Sequence, residues 1–238
     1  MQDFDGTLRE IAAVGYRVIE FCSPPGFVNM GFASLADIKA SEIRQKIAGA
    51  GLRVVSCHYQ FQELKENVDE RIAFATELGL DHMIVATYGV PKEGSMDDWR
   101  RAAEETNRLG EKTRKAGIQL GFHNHGFEFQ QIGGTLIFDE LMERWDRNLV
   151  KSQFQVSDAV RLGFDPATIL TKYPGRFLSL HLQDWSAITK SVAPVGQGSI
   201  DWKKVFTAAK KGGITYYFVE MSMDALKASY PYLRDLRA

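Results

Sequence analysis

Seven short apolar runs separated by helical patterns predict an α/β chain: a (β/α)8 TIM-type barrel that lacks its first strand. Three observations carry this expectation. The runs are rich in β-branched and aromatic residues and start 27 to 38 residues apart, the length of a strand plus a returning helix. The gaps between them hold amphipathic helical patterns, which implies parallel strands covered by helices. Histidine, carboxylate and amide residues recur where the runs end, as they do at the active face of a barrel.

The chain opens on a helix, with Thr7 and Glu10 fitting a capping box ahead of LREIAAVG and Gly15 as its stop. Strand patterns follow at Tyr16 to Phe21 (YRVIEF), Leu52 to Cys57 (LRVVSC) and His82 to Ala86 (HMIVA). They continue at Ile118 to Phe122 (IQLGF), Val150 to Val156 (VKSQFQV), Phe177 to Leu182 (FLSLHL) and Thr215 to Glu220 (TYYFVE). Between them lie the helical patterns SEIRQKIAGAG, NVDERIAFATELG, MDDWRRAAEETNRLGEKTRKAG, FDELMERW, DPATILTKY and DWKKVFTAAKKGG. Five of the helical segments end in glycine just before the next strand, the expected left-handed stop of a short helix-to-strand turn. Residues 90–98 and 183–199 read as long loops. An open doubly wound sheet is the competing architecture, but CSPPGFVNMG after the first visible strand carries no glycine-rich phosphate turn. The barrel is favoured.

A barrel should open on a strand, and this sequence opens on a helix. The strands of Tyr16 and Thr215 are therefore expected to face each other across a gap, or to be covered by a substitute. The whole span, 1–238, reads as one domain.

Composition narrows the function. The chain has 29 Lys+Arg against 30 Asp+Glu, so it lacks the basic excess that draws proteins to nucleic acid. Cys22 and Cys57 cannot build a disulfide framework and read as small buried hydrophobes. No run of about 18 apolar residues is present, so no membrane span is expected. MQDFDGTLRE has no apolar signal core, which with the free cysteines leans toward the cytoplasm. An exposed barrel seam makes a homodimer an expectation.

The strand ends, in order, carry Glu20, His58, Tyr88, His123-Asn124-His125 with Glu128, Gln155, His181 with Asp184, and Glu220. Four of the five histidines fall there. Histidine and carboxylate together suit Mn, Zn, Fe or Co better than Mg or Ca. A divalent ion polarises a carbonyl and its neighbouring hydroxyl, and a carboxylate beside the bound carbon moves a proton. These parts suffice for isomerisation, epimerisation or β-elimination of a keto sugar.

LGFHNHGFEF, GRFLSLHLQDW, VGQGSIDWKKVF and YYFVEM resemble the sugar phosphate isomerase/epimerase family, xylose-isomerase-like barrels that also include endonuclease IV. The resemblance runs from DFDGTLREIAAVGY onward. It implies an eight-strand barrel with one divalent metal ion (Mn, Zn, Co or Mg) on a Glu, Asp, His, Glu set, and a small-molecule sugar as substrate. His181 matches the family's histidine ligand and Glu220 its last carboxylate. The first ligand position is held by His123, so Glu128 is expected to serve as ligand or proton carrier. The family's aspartate falls on Gln155, a neutral amide that supplies a dipole where a charge is usual. The expected metal set is thus Glu128, Gln155, His181 and Glu220, with Glu128 and Glu220 as the catalytic pair. Glu20, His58, His123, His125, Asp184 and Trp185 are expected to line the substrate, Asp184 by orienting His181 or nearby backbone.

A metal-dependent isomerase or epimerase acting beside a sugar carbonyl is the leading expectation. A keto-glycoside lyase or hydratase, or a sugar-binding barrel without catalysis, is the alternative. A DNA-repair endonuclease is disfavoured, because it needs a richer metal cluster and a basic face.

Overall fold

The structure, a computed structural model, describes residues 3–236. Its centre is a seven-stranded parallel sheet curled almost into a closed barrel, in the order β1-β2-β3-β4-β7-β8-β11. In chain order the elements begin with α1 (Phe4–Val14), β1 (Val18–Cys22), α2 (Ala40–Gly49), β2 (Arg53–Tyr59) and α3 (Phe61–Leu78). Then come β3 (His82–Val85), α4 (Met96–Lys115), β4 (Gln119–His123), the small hairpin β5 (Gln131–Ile132) and β6 (Thr135–Leu136), and α5 (Ile137–Arg144). The chain continues through β7 (Val150–Gln155), α6 (Val156–Arg161), α7 (Pro166–Lys172) and β8 (Phe177–Leu182). A second hairpin, β9 (Asp184–Ser186) and β10 (Ser191–Ala193), precedes α8 (Trp202–Lys211), β11 (Tyr216–Val219) and α9 (Met223–Asp235).

All seven predicted strands form, shifted by two residues at most at either end. Helix starts differ more. Asp3, not Thr7, caps α1, taking the Gly6 N–H at 2.7 Å. α3 begins well before NVDERIAFATELG, because Gln60 and Glu63 form a capping box there and Asn67 only kinks the helix. α6 follows β7 directly and has no counterpart in the sequence reading, since six residues are too few to show a helical period.

The strand expected ahead of α1 has no counterpart among the described residues, and β1 and β11 end the sheet order without pairing. The seam between them is partly covered. Glu10 of α1 and Lys227 of α9 form an ion pair at 2.5 Å, and Tyr16 Oη donates to Leu226 O at 3.1 Å. At the far end, Tyr216 of β11 reaches across, accepting from Arg53 and donating to Asp81, each at 2.8 Å. A cleft of about 460 Å³ remains along the seam, running from Phe4, Leu8 and Phe32 inward to His58, His181 and Glu220.

The apolar core lies between sheet and helices, where Trp145, Trp202, Tyr59, Phe122, Phe138 and Phe154 are fully buried. Each such ring contributes roughly 2–3 kcal/mol of burial free energy. Inside the barrel, alternate residues of each strand face the axis. Gly121 of β4 is needed there, since a Cβ would lie 2.6 Å from Leu178 and 2.8 Å from Ile84.

Asp184 is the lock of the loop after β8. Its carboxylate accepts from the backbone N–H of Trp185 (2.8 Å), Gly196 (2.9 Å) and Ile200 (3.2 Å), and from Trp202 Nε1 (2.8 Å). Gly198 packs on the same carboxylate so closely that a Cβ would overlap it at 2.1 Å. Asp184→Ala strands these donors and is expected to cost about 3 kcal/mol, against about 1 kcal/mol for Trp202→Phe. Urea midpoints with an unchanged m-value check the ordering; equal losses would show that Asp184 holds nothing beyond the indole.

Candidate active site

The polar centre of the barrel is built from side chains two residues apart on neighbouring strands. Register sets Glu20 against Ser56, Cys22 against His58, His123 against Gln153, and Gln155 against His181. Glu20 is the hub. Its Oε1 accepts from Ser56 Oγ (2.6 Å) and Gln153 Nε2 (2.7 Å). Its Oε2 lies 2.5 Å from His181 Nε2 and 3.1 Å from His58 Nε2. His58 Nε2 also donates to Gln153 Oε1 at 2.6 Å, and Gln153 Nε2 donates to Ser179 Oγ at 3.0 Å.

Nearer the mouth, Glu220 follows the last residue of β11, its side chain 46% exposed. Gln155 Nε2 donates to Glu220 Oε2 at 2.7 Å, and Gln183 Nε2 donates to the Glu220 carbonyl at 2.6 Å. His181 Nδ1 stands 3.3 Å from the same carboxylate, close enough for an ion pair but without a hydrogen bond. The His181 imidazole is therefore held between two carboxylates, Glu20 below and Glu220 above.

The electrostatics follow from that geometry. Burial alone would raise Glu20, but His58 and His181 outweigh it and hold the carboxyl well below its usual range. Burial would lower His181, but Glu20 and Glu220 reverse this and raise it to about 10. Against burial, the adjacent His181 imidazole lowers Glu220. His123 is driven well down by burial and by its histidine neighbours, so its ring is neutral. His125 is also lowered, chiefly by burial.

Glu128 stands apart. It is fully buried on a single 3-10 turn (Phe127–Phe129), where Oε2 accepts the His125 N–H at 2.8 Å. No hydrogen bond or ion pair links it to His181 or Glu220 among the described residues. Burial pushes it up to about 8, so it is a neutral acid bracing the HNH segment. Asp184 orients backbone and Trp202 rather than His181, and Trp185 lies half-buried in β9. Glu20, expected to meet substrate, is held by Ser56, Gln153 and His181 and also lines the cleft along the seam. His125 sits at the rim, and His58 and His123 lie deeper, beside His181.

Sequence reasoning missed Ser56, Gln153 and Ser179. Each lies two residues before a residue it did select, His58, Gln155 and His181, and hence on the same strand face. Applying the period-two rule one step inward would have found all three.

Among the described residues, one grouping of side chains brings potential metal ligands together. Potential ligand atoms of His58, His123 and His181 lie within 4.8 Å of one another. His58 Nε2 and His181 Nε2 both also approach Glu20 Oε2, at 3.1 and 2.5 Å. At the strand ends, His123, Gln155, His181 and Glu220 stand on or just after neighbouring strands. Here His123 Nδ1, His181 Nδ1 and Gln155 Oε1 are buried with no hydrogen-bond partner. Unmet polar atoms of this kind are costly unless a ligand completes them, so the residues present fit a bound cation.

Active sites of α/β barrels lie at the C-terminal ends of the strands, and here those ends gather imidazoles, carboxylates and amides. The chain belongs to the xylose isomerase-like TIM barrel family, whose model matches residues 8–236. It is similar to a sugar phosphate isomerase/epimerase of Parabacteroides distasonis, at 28% identity and TM-score 0.81, over 98% of this chain and 88% of that one. It is 25% identical to the inosose dehydratase of Lacticaseibacillus casei over 224 residues, 81% of this chain and 74% of the relative. The inosose dehydratase of Clostridium perfringens is 26% identical over 218 residues, 78% of this chain and 73% of the relative.

The raised Glu128 makes a testable link to stability. An acid that keeps its proton up to about 8 when folded, but loses it in the ordinary carboxyl range when unfolded, loses stabilisation as pH rises through that window. Glu128→Gln keeps the acceptor for the His125 N–H and is expected to flatten the fall of Tm between the ordinary carboxyl range and about 8. Parallel pH–Tm curves for both proteins would show that Glu128 is not the group responsible.

Proposed function

We propose that this chain is an enzyme that moves a proton beside the carbonyl of a keto sugar or keto-polyol. The observation that carries the reading is the Glu20–His181–Glu220 chain, which ends in an ionised, half-exposed carboxylate at the mouth. Removal of a proton next to a carbonyl is the step shared by isomerisation, epimerisation and β-elimination. Glu220, held ionised by His181 and oriented by Gln155 and Gln183, is the base. What a divalent ion on His181, Glu220 and Gln155 supplies when bound is polarisation of the carbonyl and an adjacent hydroxyl.

In the isomerase or epimerase outcome, the proton returns to the neighbouring carbon or to the opposite face. In the lyase outcome, the electron pair left on the α-carbon expels hydroxide from the β-carbon, which departs as water once protonated. His125, a neutral imidazole at the rim, is placed to hold the hydroxyl that reacts. The inosose dehydratase relatives favour the lyase outcome, and the sugar phosphate isomerase/epimerase likeness favours the first.

NMR in D2O with a panel of keto sugars and keto-cyclitols tests the reading. Deuterium is expected at the carbon beside the carbonyl, or an enone product with loss of water. Glu220→Ala should lower turnover by at least about a hundredfold while the circular dichroism spectrum stays unchanged. Turnover undiminished in that variant, or product formed with no exchange at the α-carbon, overturns the assignment.

A further inference from the structure

We propose that this chain carries a second ligand site at the end of the barrel opposite Glu220, where Arg114, Arg147, Lys151 and Arg176 bind a small phosphate-bearing anion of the pyrophosphate type. The site is independent of the chemistry assigned above to the other end of the strands.

The segments that lead into β4, β7 and β8, three neighbouring strands, enclose a cavity of about 570 Å³. Arg114 reaches it from the last turn of α4, Arg147 from the turn between α5 and β7, Lys151 from the start of β7, and Arg176 from just before β8. Lys151 and Gln155 lie near opposite ends of β7, about 13 Å apart along an extended strand. The cavity is therefore a separate place, not an extension of the mouth.

No aspartate or glutamate lines this cavity, and among the described residues none of its four cations forms an ion pair. Elsewhere Arg71, Arg100, Arg108 and Arg144 each meet a carboxylate. The chain as a whole has 29 Lys+Arg against 30 Asp+Glu, so a cavity walled by one sign of charge is a local arrangement and not a product of composition. A concave surface of this kind focuses its field on an incoming anion.

Arg176 carries the argument furthest, because water does not relieve its charge. It is 8% exposed. Its guanidinium donates to Met142 O at 2.7 Å and to Trp145 O at 3.1 Å, at the end of α5, while Nε has no hydrogen-bond partner. A helix C-terminus presents only about half a negative charge, so these carbonyls leave part of the cation uncompensated. Asp146 helps from the same turn, but its Oδ1 accepts the Asn148 N–H at 2.7 Å and it forms no ion pair with Arg176. Burial, and then the neighbouring Arg147, hold the Arg176 guanidinium below its ordinary value. A buried cation crowded by a second one is costly unless an anion completes it.

The class of anion follows from the donors. Guanidinium groups present planar forks of N–H donors that match the oxygens of phosphate. Three arginines and a lysine suit several negative charges, which a singly charged carboxylate does not supply. The volume is that of a small-molecule site.

The test is calorimetric titration and thermal unfolding of chelator-treated, desalted protein with sodium pyrophosphate, with chloride at matched ionic strength as control. Saturable 1:1 binding is expected that weakens as salt rises, and Tm should increase by about 5 °C at a hundredfold excess over Kd. Chloride should give no saturable heat. Arg147 and Arg114 are exposed, and Arg147→Glu and Arg114→Glu should each weaken pyrophosphate binding by at least about tenfold. Because each removes like-charge crowding, Tm without pyrophosphate should stay level or rise. Lys211→Glu, on the exposed face of α8, and Glu220→Ala, at the other end of the barrel, should bind as the parent chain does. No saturable binding by the parent chain, or unchanged binding in Arg147→Glu, overturns the site. So does loss of binding in Lys211→Glu or in Glu220→Ala, which places the anion elsewhere. A fall in Tm of both arginine variants without pyrophosphate also overturns it, since it shows that these side chains hold the fold and not a ligand.

Discussion

A carboxylate carried into the interior of a barrel has to be compensated at close range or neutralised, because the cost of desolvating it runs to several kcal/mol. Glu20 is compensated by Ser56 of β2, Gln153 of β7, His181 of β8 and His58 of β2. These partners come from strands on both sides of the axis. β1 has a ladder partner only in β2, since the position on its other flank holds no strand among the described residues. The bonds from Glu20 to β7 and β8 cross the axis and tie this edge strand to the far wall. Cross-barrel polar contacts thus do part of the work that a closing ladder does elsewhere.

The same interaction organises the mouth. His181 is fixed from below by Glu20 and meets Glu220 above, so the outermost carboxylate is oriented through the innermost one. Gln155 and Gln183 add donors to Glu220 without adding charge. The hairpin loop beside it is held separately, by Asp184 on Trp202 and three backbone N–H groups. The outermost carboxylate therefore stands on a packed interior, while the loop beside it is stabilised by its own buried acid.

Most of the architecture was legible because strand and helix signals here are local. β-branched runs such as RVIEF and LRVVSC, and glycine stops such as Gly15 and Gly79, act within a few residues of themselves. The seven strands of the described sheet were legible for the same reason. What stayed hidden depends on contacts distant in sequence. Glu128 has the spacing of a site residue, but the 3-10 turn rolls it under the His125 backbone, which no linear spacing reveals. Glu20 could be placed at a strand end, but its depth follows from partners up to 161 positions away. Gln153, Ser56 and Ser179 look like neutral strand residues until the barrel turns them to one axis.

The replacement of an acid by Gln155 then has a physical account within this barrel. Two anions already flank His181, one buried and one at the rim, and the imidazole between them is held protonated in the absence of a cation. A third carboxylate at position 155 would stand against Glu220 at the 2.7 Å now taken by an amide hydrogen bond, and like charges at that separation repel strongly. The amide converts that repulsion into a donor and keeps Glu220 aimed at the mouth. His123 acts in the same direction, since a neutral ring beside His181 adds no negative charge to a cavity that already contains Glu20. The two neutral side chains, Gln155 and His123, are therefore coupled to one cause. Once a charge is placed at Glu20 to hold His181, the strand ends around it are relieved of charge, and the negative charge at the mouth is concentrated in Glu220.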